Sequence, residues 1–180
     1  GFPWPSLIDG EGPSAELLNP GLDNSKGSSW RSSGTALPTA VLPKSYIEQG
    51  DAGWNYFKAT SEPDAGWQGV AFDDSLWTTD VAPFGYGDPG IMTFFNDMYG
   101  SYAGAYFRKS FTIGAGEVPT ALHLRLNVDD GCVVWINGVE VKRRNVPTGP
   151  LAHTSFSVAN VEAAWEDIII PNADSFLTEG

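Results

Sequence analysis

Two pairs of adjacent carboxylates, Asp73-Asp74 and Asp129-Asp130, are the first candidates for chemistry in this sequence. Neighbouring carboxylates suit a calcium ion, which takes about six to eight oxygen ligands. Both pairs also stand where aspartate side chains commonly accept hydrogen bonds from the backbone of a turn. Neither pair follows the spacing of a dedicated calcium loop. We therefore expect turn capping at both pairs, and we keep Asp129 and Asp130 as candidate ligands of a structural calcium ion.

The other reactive side chains do not assemble into a catalytic site. The chain has two histidines, His123 and His153, and one cysteine, Cys132. No nucleophile elbow accompanies them, and they are too few for a zinc site. Cys132 begins an apolar run, which is more typical of a small core residue than of a nucleophile. Paired carboxylates for glycoside hydrolysis would arise by chance among 22 acidic residues, so they carry no signal. We predict that the protein is not an enzyme.

Aromatic and polar side chains are mixed in residues 86–102. Sugar rings present apolar C–H faces that stack on aromatic rings, while polar neighbours bind the hydroxyl groups. Long loops at the end of a rigid β scaffold are also where binding residues commonly lie. The alternative is that these rings fill the end of the core. The candidate glycan-binding residues are Tyr86, Asp88, Phe95, Asn96, Asp97, Tyr99 and Tyr102.

Short strands must position these residues. Asn137-Gly138 separates two apolar segments and accepts a positive φ at both positions, so it predicts a type I′ hairpin. Asp129-Asp130-Gly131 is a second turn signal, and it ends the alternating run of residues 122–126. The three segments are predicted to be antiparallel strands joined by tight corners. Residues 53–58 predict a further strand, and residues 105–113 are long enough for a central strand.

Composition supports a β-rich protein. The 180 residues include 21 glycines and 13 prolines, and 13% are aromatic, which favours many short strands. Only residues 158–165 have an apolar spacing that could suit a helix. The formal net charge of −12 argues against nucleic acid and anionic membranes as partners. No apolar stretch approaches the roughly 18 residues of a membrane span, so we expect no membrane insertion. The single cysteine excludes an internal disulfide.

The first 41 residues differ from the rest, because they are dense in Gly, Pro, Ser and Asn. They contain one apolar island at residues 15–18. Their pattern, with Trp4-Pro5, the segment 9–18, Asn24-Ser25 and the segment 30–33, resembles the closing part of bacterial lamin-tail-type domains, which are small immunoglobulin-like sandwiches. The alternative is an ordinary irregular N-terminal arm. The chain is expected to be a piece of a longer protein.

The remainder, residues 42–180, carries an ordered set of motifs. They are Trp67, Phe72-Asp-Asp-Ser-Leu-Trp77, Pro83-Phe-Gly-Tyr-Gly87, Tyr106-Phe-Arg-Lys-Ser-Phe111, Asp129-Asp-Gly131 and Trp135-Ile-Asn-Gly138. This order resembles the galactose-binding-like jelly-roll modules of large secreted proteins of environmental bacteria. The resemblance implies an all-β fold, an antiparallel jelly-roll sandwich. Its core is expected to contain Leu122, Leu124, Leu126, Val134 and Ile136, and Trp54, Trp67, Trp77 and Trp135 are expected to be buried.

Two functions follow as expectations. The first is a non-catalytic, glycan-binding module of a secreted or cell-surface bacterial protein, with a polysaccharide as its partner. In the related modules one or two strands follow the segment that corresponds to residues 168–171, and residues 176–180 resemble the loop before them. The second function is therefore an assembly module, completed by strand exchange with neighbouring copies in an extracellular filament or surface layer. The apolar island at residues 15–18 would be the donor strand.

Overall fold

The computed structural model divides the chain into two compact units, Gly1–Lys44 and Ser45–Gly180. It describes residues 44–180 and, in the first unit, residues 15–17, 21, 23, 25, 26 and 29–32. Strands are the main regular structure of these residues, and helix is limited to 3-10 turns such as Ala173–Ser175. The strands are β1 Ala15–Leu17, β2 Trp30–Ser32, β3 Trp54–Lys58, β4 Thr78–Asp80, β5 Phe84–Gly85, β6 Thr93–Phe94, β7 Ala105–Arg108, β8 Ala121–Val128, β9 Cys132–Ile136, β10 Val139–Arg144 and β11 Ala164–Pro171.

In the first unit, β1 pairs with β2 in an antiparallel ladder, with Leu17 opposite Trp30. This corrects the expectation of an arm without regular structure, because six of its residues form a ladder. The apolar island is also less suited to donate a strand, since Ala15–Leu17 already pairs within its own unit. Most of the segments that resemble a lamin-tail domain, including Trp4-Pro5, lie outside the described residues.

The centre of the second unit is the three-stranded antiparallel sheet β4-β3-β7. Strand β3 forms as its alternation predicts. Strand β7 covers only the first four residues of the predicted 105–113 segment. Tyr56 is opposite Phe107, and Phe57 is opposite Tyr106. Because successive side chains point to opposite faces, each face of the sheet receives one pair of aromatic rings.

The predicted Asn137-Gly138 hairpin is confirmed. Strands β9 and β10 pair directly across it, with Ile136 opposite Val139, and both turn residues have a positive φ, 51° and 84°. A register shift between Glu140 and Lys142 bends the hairpin. The amide of Asn137 donates to the carbonyl oxygen of Phe176 at 2.9 Å. The turn is therefore held by the chain's last segment.

The corner at residues 129–131 does not form a hairpin, which corrects the prediction of three neighbouring strands. Strand β8 pairs along its whole length with β11, and β9 pairs with β10. The corner takes the chain from one ladder to another. A Cβ atom at Gly131 would lie 2.8 Å from the carbonyl oxygens of Arg144 and Asn145. Only glycine fits there without moving the backbone.

The core is shallow. In β8 the predicted inward residues Leu122, Leu124 and Leu126 do occupy the less exposed face, but none is buried, and Val134 and Ile136 are half-buried as well. The four tryptophans expected in the framework, Trp54, Trp67, Trp77 and Trp135, are also only half-buried. One buried cluster joins Ile113, Ala173 and Leu177. The prediction is thus correct about which residues point towards the core and wrong about how deeply they are buried.

The C-terminal segment, expected to be a loop, packs against this cluster. Leu177 is 5% exposed, and Gly180 exchanges two backbone hydrogen bonds with Ile113, at 3.0 and 3.1 Å. Residues 158–163 form no helix, and β11 begins at Ala164. The second unit, all of which the structure describes, is therefore all-β. Its ladders are antiparallel except for the two-residue β5–β6 contact, and they do not close into a barrel.

Candidate functional site

Phe95 anchors the aromatic loop, residues 86–102, to the central sheet. It is 2% exposed, and its ring centroid lies 5.1 Å from that of Tyr56 and 5.8 Å from that of Phe84. Phe107 completes this cluster at 4.8 Å from Phe84. A side chain buried to this extent has no surface left for a sugar. The prediction that Phe95 binds a glycan is therefore wrong, and the alternative that its ring fills the core is correct for this residue.

A polar network stands beside this cluster. Lys58 Nζ lies 2.8 Å from both carboxylate oxygens of Asp97, and the Tyr102 hydroxyl donates to Asp97 Oδ1 at 2.8 Å. The same ammonium group lies 5.6 Å from the Phe95 ring centroid and 5.8 Å from that of Tyr102. Asp97 and Tyr102 are thus brought together as a joint support for the loop. Lys58 was not predicted, although its position two residues after Tyr56 places it on the same face.

The network changes the acidity of its members. The hydrogen bonds from Lys58 and then Tyr102 lower the pKa of Asp97. Asp97 in turn raises the pKa of Lys58. Burial, followed by the hydrogen bond to Asp97, raises the pKa of Tyr102 to about 12. Near neutral pH the network therefore holds an ammonium group, a carboxylate and a protonated phenol, which is the arrangement with the most favourable hydrogen bonds.

The other candidate residues of the loop and Phe94 face solvent. Tyr86, Phe94 and Tyr99 are 42%, 56% and 85% exposed, and Asp88 and Asn96 are exposed as well. Phe94 belongs to the same aromatic loop, and it points away from Phe95 because neighbours on an extended segment point in opposite directions. The loop therefore offers three exposed rings beside polar side chains, on a base fixed by Phe95 and the network.

The Asp73-Asp74 pair supports a second loop. Asp73 Oδ1 accepts from the backbone N–H of Ser75 at 3.0 Å, and hydrogen bonding from the Ser75 side chain and then from its backbone lowers the pKa of Asp73. Asp74 Oδ2 accepts from Arg108 Nε at 2.7 Å. Arg108 also donates to the carbonyl oxygens of Trp67 and Gly69. The turn-capping expectation is confirmed for Asp73.

The proposed calcium ligands do not converge. Asp130 Oδ1 accepts from the backbone N–H of Val161 at 2.8 Å, and Asp129 is exposed. In the part of the chain that the structure describes, no group of three or more His, Cys, Asp and Glu side chains is placed to hold a metal ion. Asp130 instead fastens the segment before β11 to the corner before β9. These residues do not fit a calcium site.

The histidines and the cysteine are placed apart from the loop's network. His123 Nε2 lies 2.9 Å from Asp167 Oδ1, and His153 Nδ1 lies 2.9 Å from Glu62 Oε1. Among the described residues neither imidazole has a hydroxyl or thiol partner. Cys132 is half-buried, and burial raises the pKa of its thiol, which disfavours the nucleophilic thiolate.

No family model matches the chain, and comparison with curated proteins and with solved structures also finds no match. The residues described contain no helix of the length and apolar character that a membrane crossing requires.

Proposed function

We propose that the unit Ser45–Gly180 is a non-catalytic module that binds a glycan through the aromatic loop. The observation that carries the proposal is the exposure of Tyr86, Phe94 and Tyr99, at 42%, 56% and 85%, on a loop with a buried anchor. Exposed rings cost free energy in water unless something covers them, so a cluster of them on one rigid loop favours a binding surface.

The chemistry of the loop suits sugars better than apolar partners. Its rings stand among the exposed side chains of Asp88, Asn96 and Asp97, which can accept or donate hydrogen bonds to hydroxyl groups. The loop is also held in place, because Phe95 and the Lys58–Asp97 pair fix its base. A fixed surface loses less conformational entropy on binding than a mobile one.

Charge limits the ligand class. The net charge of −12 disfavours nucleic acid, anionic membranes and strongly acidic polymers. A neutral polysaccharide pays no such penalty. The jelly-roll sandwich and the origin in a secreted or cell-surface bacterial protein are part of the same proposal. They rest on the resemblance of the ordered aromatic and Asp-Asp-Gly motifs, and the antiparallel all-β architecture is compatible with them.

Affinity electrophoresis on gels that contain single neutral polysaccharides tests the loop. We expect the wild-type protein to be retarded by at least one polymer, and the double variant Phe94→Ala/Tyr99→Ala to be retarded clearly less by that polymer. The matched control is Leu76→Ala, since Leu76 is 97% exposed and lies outside the loop. Migration of the wild-type protein that no polymer changes, or equal retardation of the wild-type protein and the double variant, would refute the proposal.

An assembly module is the second candidate, and one observation favours it. Strands β8 and β11 have eight residues each and pair with each other, so each has a second edge with which no described strand pairs. Such edges are templates for strand addition from another copy. Light scattering over a range of concentrations tests this: self-association that Ile169→Lys reduces and Val70→Lys does not would support it. A concentration-independent monomer would exclude it.

A further inference from the structure

The outer face of the β8–β11 ladder carries a group of side chains that is separate from the aromatic loop. Alternation places every second residue of the ladder on this face, and all eight are exposed. Trp165 is opposite Asn127, Asp167 is opposite Arg125, and Ile169 is opposite His123. An exposed tryptophan at the end of such a row is unusual, because it leaves a large apolar ring in water.

Charged side chains lie beside the Trp165 ring and contact one another. Arg125 Nε donates to Asp167 Oδ1 at 2.9 Å, and the same oxygen lies 2.9 Å from His123 Nε2. The guanidinium carbon of Arg125 lies 4.9 Å from the centroid of the Trp165 ring. Trp165 nevertheless remains 50% exposed. Arg125 is therefore oriented from two sides, by a carboxylate and by a ring.

The group offers unused hydrogen-bonding capacity beside the ring. In the described residues, the two terminal amino groups of Arg125 have no partner, and neither does Asp167 Oδ2. Two adjacent sugar hydroxyls can each donate to a carboxylate and accept from a guanidinium group. The apolar face of the same sugar can stack on a tryptophan ring. Donor, acceptor and ring are all present within one row of the ladder.

We propose that this face is a second carbohydrate-binding surface, selective for sugars with two adjacent free hydroxyl groups. Arg125 and Asp167 bind the hydroxyl pair, Trp165 stacks on the ring, and Asn127 extends the polar edge. This inference is independent of the loop, because none of its residues lies within residues 86–102. A polymer long enough to contact both surfaces at once would bind more tightly than a polymer that contacts only one of them.

The pattern of the face argues against a second copy as the occupant. Trp165 and Ile169 are its two large apolar residues, and they are separated by Asp167 on the same strand. His123 and Arg125 separate them from the other side of the ladder. Protein interfaces have cores depleted in charge, whereas here the charged pair occupies the middle of the row. Hydroxyl groups suit that middle position better than apolar side chains.

Nuclear magnetic resonance of the complete chain can test the two surfaces separately. Each of the seven tryptophans carries one indole N–H, and the signal that disappears in Trp165→Phe is that of Trp165. Cellohexaose, xylohexaose and mannohexaose have adjacent free hydroxyls in every sugar unit, whereas the interior units of laminarihexaose have none. We expect the first three to shift the Trp165 indole and Arg125 Nε signals, and laminarihexaose, in which only the terminal units carry adjacent free hydroxyls, to shift both signals much less at the same concentration.

Variants separate this proposal from the loop proposal. We expect Arg125→Gln to weaken the binding that the Trp165 signal reports by about tenfold or more, which corresponds to the loss of a hydrogen bond to a charged group. Tyr99→Ala should leave that signal's response unchanged. A Trp165 signal that no oligosaccharide moves, that laminarihexaose moves equally, or that protein concentration alone moves would overturn the inference. A response at Trp165 with silent loop signals would reject the loop and retain this surface.

Discussion

The two faces of the central sheet each carry a cation that fastens a loop, and they differ in depth. On one face Arg108 binds Asp74, and its guanidinium group lies 5.1 Å from the Phe72 ring centroid. On the other face Lys58 binds Asp97 and lies over the Phe95 ring. The side chains of the first ion pair are 15% and 25% exposed, and those of the second are 31% and 60% exposed.

This difference separates a role in the stability of the fold from a role in positioning a loop. A partly buried guanidinium group that satisfies a carboxylate and two carbonyl oxygens is costly to remove, because its partners cannot all return to water. A lysine pair near solvent contributes less, since water competes for both groups. The first face therefore stabilises the fold, and the second positions a loop whose outer residues are exposed.

The largest change in stability is expected when the Phe95 ring, which anchors the loop on the second face, is removed. Phe95→Ala should lower the free energy of unfolding by about 3–5 kcal/mol, because it removes a buried ring from contact with Tyr56, Phe84 and Phe107. Denaturant unfolding monitored by fluorescence measures this. Tyr99→Ala is the matched control in the same loop, and its 85% exposure predicts little change. Equal effects of the two variants would mean that the loop has no anchor.

Arg108→Met should follow, with a loss of about 2–3 kcal/mol. The variant keeps an apolar stem, but it leaves Asp74 and the carbonyl oxygens of Trp67 and Gly69 without their donor. The estimate is lower than for a fully buried pair, because Asp74 is still 25% exposed. Arg125→Met, whose side chain is 57% exposed, is the control for loss of a cation. If Arg108→Met left the free energy of unfolding unchanged, the two faces of the central sheet would not differ in their contribution to stability.

Lys58→Met should destabilise the fold by only a fraction of the Arg108→Met effect. Its charge acts near solvent, whereas its stem can still cover the Phe95 ring. Added salt should narrow the difference between this variant and wild type, because salt screens exposed pairs more than buried ones. Denaturant unfolding at low and high salt measures the difference. A loss as large as that of Arg108→Met, and insensitive to salt, would show that both faces work in the same way.

A smaller change in stability is expected at acidic pH, where Asp97 becomes protonated. Asp97 has a lowered pKa in the folded protein, so its contribution to stability is present above its ordinary pKa of 3.8. That contribution is lost as the pH falls through the lowered value. Asp97→Asn should therefore flatten the acid limb of the stability profile relative to wild type. Asp88→Asn, an exposed change in the same loop, should not.

The smallest effect concerns the phenol of Tyr102. Its pKa of about 12 lies above the ordinary value of 10.0, so its contribution is complete below pH 10.0 and is lost as the pH rises through about 12. The ultraviolet absorbance of phenolate should show late titration of Tyr102 and also of Tyr106, whose pKa burial raises, and Tyr102→Phe should remove only the Tyr102 contribution. If every tyrosine ionised near the ordinary value, the phenol would not be held by Asp97.

Local signals in the sequence were sufficient for the turns and for the orientation of the strands. Asn137-Gly138 predicts its hairpin because both residues tolerate a positive φ whatever surrounds them. The alternation in β8 likewise places Leu124 inward and His123 outward. These features depend on neighbours in the chain and need no knowledge of distant partners.

The rest depends on contacts between distant segments. The partner of β8 is β11, which begins 36 residues after β8 ends, so the Asp129-Asp130-Gly131 corner could not reveal that it joins two ladders. Of the two neighbouring rings Phe94 and Phe95, the sequence alone does not show which one faces Tyr56. Lys58 became visible as part of the site only once Asp97, 39 residues away, lay beside it.

The corner before β9 has a further consequence, which concerns the lone thiol that follows it. Cys132 is half-buried, and burial raises its pKa, so in the closed protein an alkylating reagent meets a thiol that is both shielded and protonated. Modification then requires a transient separation of the corner from the end of β10. Since the chain contains one cysteine, the rate at which its thiol is labelled reports this local opening, and no reporter group has to be introduced.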